Sequence, residues 1–237
     1  MPRRPRTFLP GTPVHLIQRG NNRQVSFFKE VDYTVYLDKL REASLDCQVD
    51  IHSFVLMTNH VHLLCTPASK QGISLMMQKL GRCYVRYVNE AYGRTGTLWE
   101  GRFKASMVNS EQYLLTVSRY IELNPVRAGM VTHPAEYPWS SYRSNALGLN
   151  IRMIKPHPVY KALGQSSSQR EQSYRALFDS QIPDFTQEEI RVAANKSWVL
   201  GDGRFKQQIE RQLGRKLPPF PRGGDRKSTK FLQSRGG

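Results

Sequence analysis

Two histidines one residue apart, in Asn59-His60-Val61-His62, and a tyrosine four residues before an asparagine, Tyr120 and Asn124, could do chemistry together. On a strand, alternate side chains share a face, so His60 and His62 point one way while Val61 and Leu63 point the other. Side-by-side imidazoles on a rigid strand make two legs of a divalent-metal site. Taken alone the pair reads more readily as polar decoration on a solvated face, and only further residues can decide. On a helix, Tyr120 and Asn124 fall on one face a turn apart. An Asn side-chain oxygen can be the third ligand of such a cation, and a tyrosine beside it can attack a phosphodiester. A free phenol ionises near pH ~10, so attack at neutral pH needs a cation, a base or coupled proton transfer. Any one tyrosine of this chain, considered singly, reads as an amphipathic core residue.

The elements that must position these residues are legible from periodicity. Val14-His15-Leu16-Ile17-Gln18-Arg19 reads as a strand ending at a Gly20-Asn21-Asn22 turn. Asp32 is placed to cap a helix running to about Leu45, with Tyr33, Tyr36, Leu37 and Leu40 at helical spacing. Residues 49–56 and the His60/His62 segment read as a hairpin, and Ser74 opens a helix ending near Gly93. A strand is expected over 97–108, then a helix from Gln112 to about Leu123 that stops at Asn124-Pro125. Strand, helix, strand, strand, helix, strand, helix predicts an α+β fold: a ferredoxin-like antiparallel sheet with helices on one face. Its other face, or one end, is then expected to stay free for a polymeric ligand.

Beyond Ala128 the texture changes. The Pro- and aromatic-rich stretch from His133 to Tyr142 is expected to pack back on the domain, and 143–170 is loop-like. Helices are predicted around 170–178, 186–195 and 204–213, making a mainly helical C-terminal extension. The last two, joined by Ser197-Trp198-Val199-Leu200-Gly201-Asp202, read equally as a helix-turn-helix or as a helical accessory without DNA contact. The expected division is 1–143 catalytic domain, 144–215 helical accessory region and 216–237 basic, disordered tail.

Composition bounds the partners. The 237 residues carry 35 Lys and Arg against 19 Asp and Glu, a net +16 spread along the chain, which favours a polyanion. Arginine suits bidentate phosphate contacts, and no basic amphipathic helix points to a membrane surface instead. Three cysteines, none spaced Cys-x-x-Cys, argue against a zinc ribbon or disulfide framework and for free thiols in a reducing cytoplasm. No signal-peptide pattern or membrane-length apolar run is present, so a cytoplasmic protein is expected. Among basic residues, Arg19 and Arg23 flank the first turn, and Arg102 and Lys104 lie beside Trp99 and Phe103. Charge next to a stackable ring suits single-stranded DNA, and these four rank first as DNA contacts, ahead of Arg3, Arg4, Arg6, Lys79, Arg82 and Arg86.

Thr58-Asn59-His60-Val61-His62-Leu63-Leu64 followed by Tyr120-Ile121-Glu122-Leu123-Asn124-Pro125-Val126-Arg127 resembles the single-tyrosine HUH transposases. It is most similar to their REP-associated branch, which Trp99-Glu100-Gly101-Arg102-Phe103 and Trp139-Ser140-Ser141-Tyr142 also resemble, over roughly Arg6 to Arg143. The resemblance implies metal-dependent cleavage and rejoining of single-stranded DNA that carries hairpins (REP-like repeats), in a bacterial nucleoid setting. It implies His60, His62 and Asn124 as ligands of Mg2+ or Mn2+. Tyr120 would be the nucleophile that becomes linked to the 5′-phosphate. A homodimer with Tyr120 supplied across the interface stays open at this point. So do two other readings, a hairpin-binding module without turnover and a metal phosphodiesterase that uses water.

Overall fold

A computed structural model of the chain describes residues 8–214 and 216–217; Arg3, Arg4, Arg6 and nearly all of the predicted basic tail lie outside them. The apolar alternation builds four antiparallel strands, β1 (Val14–Arg19), β2 (Val49–Met57), β3 (His60–Pro67) and β4 (Lys104–Met107), in the order β2-β3-β1-β4. Helices α1 (Glu30–Asp46) and α2 (Gly72–Ala91) lie in the two connections of the ferredoxin-like pattern. Val14, Leu16, Phe54, Leu56, Val61 and Leu63 share one side of the sheet by register, and they cluster with Tyr36 and Leu40 of α1 and Met76, Leu80 and Tyr84 of α2. Burying each such side chain contributes about 1.5–3 kcal/mol.

The sheet's other face is not free. Val55, Met57 and Leu64 lie on it, and they pack with Leu114, Val117, Tyr120 and Ile121 of α3 (Ser110–Glu122). The strands are buried at both parities, so both faces need cover. The helix bearing the candidate nucleophile provides it on the second side.

Other expectations are corrected in detail. The strand forecast for 97–108 is regular only over Lys104–Met107, because Gly96 and Gly101 take positive φ (81° and 70°) and break the ladder. Asp32 is not the first cap of α1 but its third residue, where it accepts from the N–H groups of Phe28 and Lys29 at 2.7 and 2.8 Å. The phenols of Tyr87 and Tyr92 donate to the same carboxylate, tying the end of α2 to the start of α1.

After α3 come α4 (Asn124–Arg127), α5 (Tyr142–Leu147), α6 (Pro158–Lys161), α7 (Ser167–Ala176), α8 (Asp184–Lys196) and α9 (Gly203–Leu213). Ser197 to Leu200 does not make the tight turn of a helix-turn-helix. It runs along β4: Leu200 N–H donates to Met107 O, Asn109 N–H to Leu200 O (both 2.8 Å), and Ala105 N–H to Ser197 Oγ (3.2 Å). An open edge strand is thereby covered.

Glu122, at the end of α3, is wholly buried and accepts from Ser141 Oγ (2.5 Å), Asn145 Nδ2 (2.9 Å) and Tyr174 O–H (2.9 Å). Ser141 in turn accepts from Phe54 N–H of β2 at 2.9 Å, so one carboxyl joins α3, α5, α7 and the sheet. Burial pushes Glu122 up to about 7 from 4.5, against the three donors, which pull it down. A raised folded value means stability that is full below about pH 4.5 and lost as pH rises through 7. Glu122→Gln should therefore gain in thermal midpoint relative to wild type between pH 5 and 8, as measured by calorimetry. A pH-independent difference would contradict this. The difference isolates Glu122 from the buried histidines, whose contribution has the opposite sign.

Candidate active site

The histidines stand on the face that α3 covers. In register, His60 lies opposite Arg19, and His62 opposite Ile17 on β1 and Val55 on β2. The His60 and His62 rings are 5.1 Å apart, edge to face. A third imidazole joins them: His15 of β1, almost fully buried, places Nε2 2.8 Å from His62 Nδ1. Its position in an apolar strand gave no separate signal, although its parity with Ile17 and Arg19 puts it on the same face.

The ring nitrogens are assigned by their partners. Asn59 Nδ2 donates to the carbonyl of Arg23 at 2.9 Å, which fixes that amide with its oxygen toward His60. His60 Nδ1 sits 2.7 Å from Asn59 Oδ1, an acceptor, so Nδ1 carries the proton and Nε2 keeps a lone pair. Arg23 presents its carbonyl from a turn in which Asn22 and Arg23 both take positive φ (50° and 58°). Gly20 begins that turn, and a Cβ there would meet Gln24 O at 2.3 Å. The hydrogen bond between His15 and His62 shares one proton. If His62 Nδ1–H donates it to His15 Nε2, His62 Nε2 is left to coordinate.

Burial, then the nearby Arg19, lowers His60 to about 4; burial, then Arg127, lowers His15 to about 3; and burial chiefly holds His62 well below its ordinary value. All three are neutral imidazoles at neutral pH, the form that binds metal.

Tyr120 sits late in α3, 8% exposed, with its ring 6.2 Å from that of His62 and 6.1 Å from that of His15. Its hydroxyl accepts from the Arg127 guanidinium. The helix ends at Glu122, next to the expected Leu123, and a separate short helix, α4, starts at Asn124. Pro125 has no N–H, so the carbonyl of Ile121 loses its helical donor. Asn124 Nδ2 takes up that carbonyl and the carbonyl of Tyr120, both at 3.2 Å. Because the amide nitrogen is committed to the helix end, Oδ1 is left without a partner among the described residues. Arg127, a turn later, donates to Tyr120 O at 2.6 Å and lies 4.1 Å from the ring centroid, a cation–π contact. The spacing of Tyr120 and Asn124 was legible; the parts played by Asn59, Pro125 and Arg127 were not singled out.

The donor set fits a divalent cation. His60 Nε2, His62 Nε2 and Asn124 Oδ1 are two nitrogens and an oxygen, each with its other polar atom already engaged. Among the described residues no cluster of three or more His, Cys, Asp or Glu side chains is arranged to hold a metal, so a site here depends on the amide. Of the basic residues, Arg19 is close enough to His60 to act on its charge, and Arg23 and Arg102 are exposed. Lys104 is engaged: its Nζ donates to Asn195 of α8 at 3.1 Å.

The His15 contact is testable without turnover. His15→Leu should weaken Mn2+ binding by roughly 10- to 100-fold, as is typical when a ligand's hydrogen-bond partner is lost. His15→Gln, which offers an acceptor, should recover most of it in a titration followed by electron paramagnetic resonance. Equal affinity in His15→Leu and wild type would contradict the assignment.

Residues 10–124 match the family model described as "Transposase IS200 like". A solved REP-associated tyrosine transposase, bound to a REP hairpin, is similar in fold: TM-score 0.53, 20% identity, 66% of this chain and 93% of that one. A transposase from Deinococcus radiodurans aligns over 51% of this chain and 95% of its own at 21% identity, with a TM-score of only 0.37. No curated protein matches the sequence. Among the described residues no helix is long and apolar enough to cross a membrane. The matched segment, residues 10–124, holds His60, His62, Tyr120 and Asn124, and over it this chain is similar to the IS200-like transposases.

Proposed function

We propose that the chain is a metal-dependent enzyme that cleaves and transfers single-stranded hairpin DNA through a covalent 5′-phosphotyrosine. One observation carries the proposal: Tyr120, with the Arg127 guanidinium beside it, belongs to a helix packed on the two histidines, one turn before an amide oxygen that has no partner among the described residues. The Tyr120 oxygen attacks the scissile phosphorus, the bond to the 3′-oxygen breaks, and that oxygen leaves as a 3′-hydroxyl. Rejoining is the reverse, with a new 3′-hydroxyl displacing Tyr120. A divalent ion, Mg2+ or Mn2+, held by His60, His62 and Asn124 would polarise the phosphoryl group. Arg127 holds the Tyr120 ring and adds fixed positive charge beside the attacking group. Tyr120 and His62 meet within one chain, so attack in cis needs no exchange of the helix with a second copy.

Hairpin DNA as the partner is supported by the net charge of +16 and by the hairpin on which the structural relative was solved. Arg19, Arg23 and Arg102 are the proposed phosphate contacts. Lys104 belongs to that set only if it leaves Asn195.

The test is a labelled hairpin oligonucleotide incubated with Mn2+ and resolved on a denaturing gel. Wild type should form a covalent protein–DNA adduct, and Tyr120→Phe should form none. Cleavage that survives Tyr120→Phe without adduct would establish a water-using phosphodiesterase, and binding without adduct a non-catalytic module. His60→Ala should abolish cleavage while leaving hairpin affinity within a few-fold, since phosphate contacts supply most of it. Loss of both would make the histidines structural.

A further inference from the structure

Tyr120 lies on the side of α3 that packs against the sheet, and the groups that can set the rotation of that helix lie on its other side. Successive residues of an α-helix are about 100° apart around the axis. Ser118 and Glu122, two residues before Tyr120 and two after it, therefore share the face turned away from it, and both are buried. One side chain joins them. The hydroxyl of Tyr174, in α7, donates to Glu122 Oε2 at 2.9 Å and accepts from Ser118. Ser118 Oγ in turn accepts from Ser53 Oγ of β2 at 3.2 Å. A chain of donors thus runs from the sheet through Ser118 and Tyr174 to the Glu122 carboxyl, each hydroxyl accepting one bond and giving one.

The two sides of α3 hold it in different ways. Leu114, Val117, Tyr120 and Ile121 cluster with Val55, Met57 and Leu64 of the sheet. Apolar contact is non-directional, so it keeps the helix down without fixing its roll. Hydrogen bonds are directional, and those on the far face do fix it. Tyr174 is itself firmly placed, fully buried with its ring 5.4 Å from those of both Tyr160 and Phe178. Arg119 of α3 adds to the grip: its guanidinium lies 5.7 Å from the centre of the Phe178 ring and donates to Ser180 O, just past α7. None of these α7 and post-α7 residues falls within the matched segment, residues 10–124.

Resting on the reading that Tyr120 is the nucleophile, we propose that Tyr174 is a positioning residue for the reaction: by bridging Ser118 and Glu122 it sets the roll of α3 and so the aim of the Tyr120 hydroxyl. A small roll is magnified at the far end of a tyrosine side chain. Misplacing a reacting group by about 1 Å can cost on the order of 10²-fold in rate. The active unit therefore includes α7 and does not end with the segment that bears the histidines and Tyr120.

The experiment uses the full chain with 3-fluorotyrosine incorporated at position 120, and compares wild type with Tyr174→Phe and Tyr87→Phe. Tyr174→Phe keeps the ring packing and removes only the bridging hydroxyl. Tyr87→Phe removes a bond of the same kind, phenol to the buried Asp32 carboxylate, on the opposite side of the sheet. In Tyr174→Phe the fluorine resonance should move, and adduct formation at saturating hairpin and Mn2+ should slow by about tenfold with hairpin affinity unchanged. Tyr87→Phe should lower the thermal midpoint and leave both the resonance and the rate at saturation as in wild type. An unmoved resonance and rate in Tyr174→Phe would overturn the proposal, as would an equal loss of rate in Tyr87→Phe. Should Tyr174→Phe fail to fold, Ser118→Ala breaks the other half of the bridge and is expected to move the same resonance; no movement there would likewise overturn it. The resonance needs no turnover. A shift in Tyr174→Phe while wild type forms no adduct would count against the nuclease reading and not against the positioning of Tyr120.

Discussion

The packing of α3 across the histidine-bearing face of the sheet is the constraint on which the rest of this structure depends. It excludes water from His15 and His62, brings the Tyr120 ring within about 6 Å of both, and carries Asn124 just beyond. The helix is held by an apolar contact with Val55, Met57 and Leu64 and by the buried Glu122 carboxyl, which gathers donors from two later segments, α5 with its cap and α7. Residues well past the family match, Tyr174 above all, therefore help fix where Tyr120 sits. The extension after the matched segment is part of its support on both sides: α7 reaches Glu122, and the stretch after α8 closes the β4 edge.

Burial also sets the chemistry of the candidate ligands. Desolvation holds the imidazoles neutral, and each neutral ring must then settle which nitrogen keeps its proton. Asn59 settles it for His60, and His15 takes part for His62. The helix break at Pro125 does the same for Asn124, because a carbonyl that lost its N–H donor now claims the amide nitrogen. Each outer contact turns one ligand atom toward the place where a cation would sit. The Asn-Pro step thus has a mechanical reason.

Much of this was legible in the sequence, and what was not has physical causes. Period-two alternation placed His60 and His62 on one face, and four-residue spacing placed Tyr120 with Asn124, because both follow from local geometry. The ferredoxin-like order of elements was readable for the same reason. The face that α3 would cover was not, since strands buried on both sides read as continuous apolar runs that say nothing of what covers them. His15 was hidden because its partner lies 47 residues away on another strand. The short extent of β4 turned on two glycines whose φ is positive, a property that composition suggests but does not assign. Lys104 was read as a DNA contact from its neighbours in sequence, whereas its nearest polar partner comes from α8, 91 residues on.

The central claim is that His60, His62 and Asn124 meet at a single cation beside Tyr120. Anomalous diffraction from a crystal of the full chain soaked in Mn2+ tests it most directly. The account predicts one strong peak bonded to Nε2 of His60, Nε2 of His62 and Oδ1 of Asn124. A peak elsewhere, or one bonded to the histidines with Asn124 turned away, would contradict it.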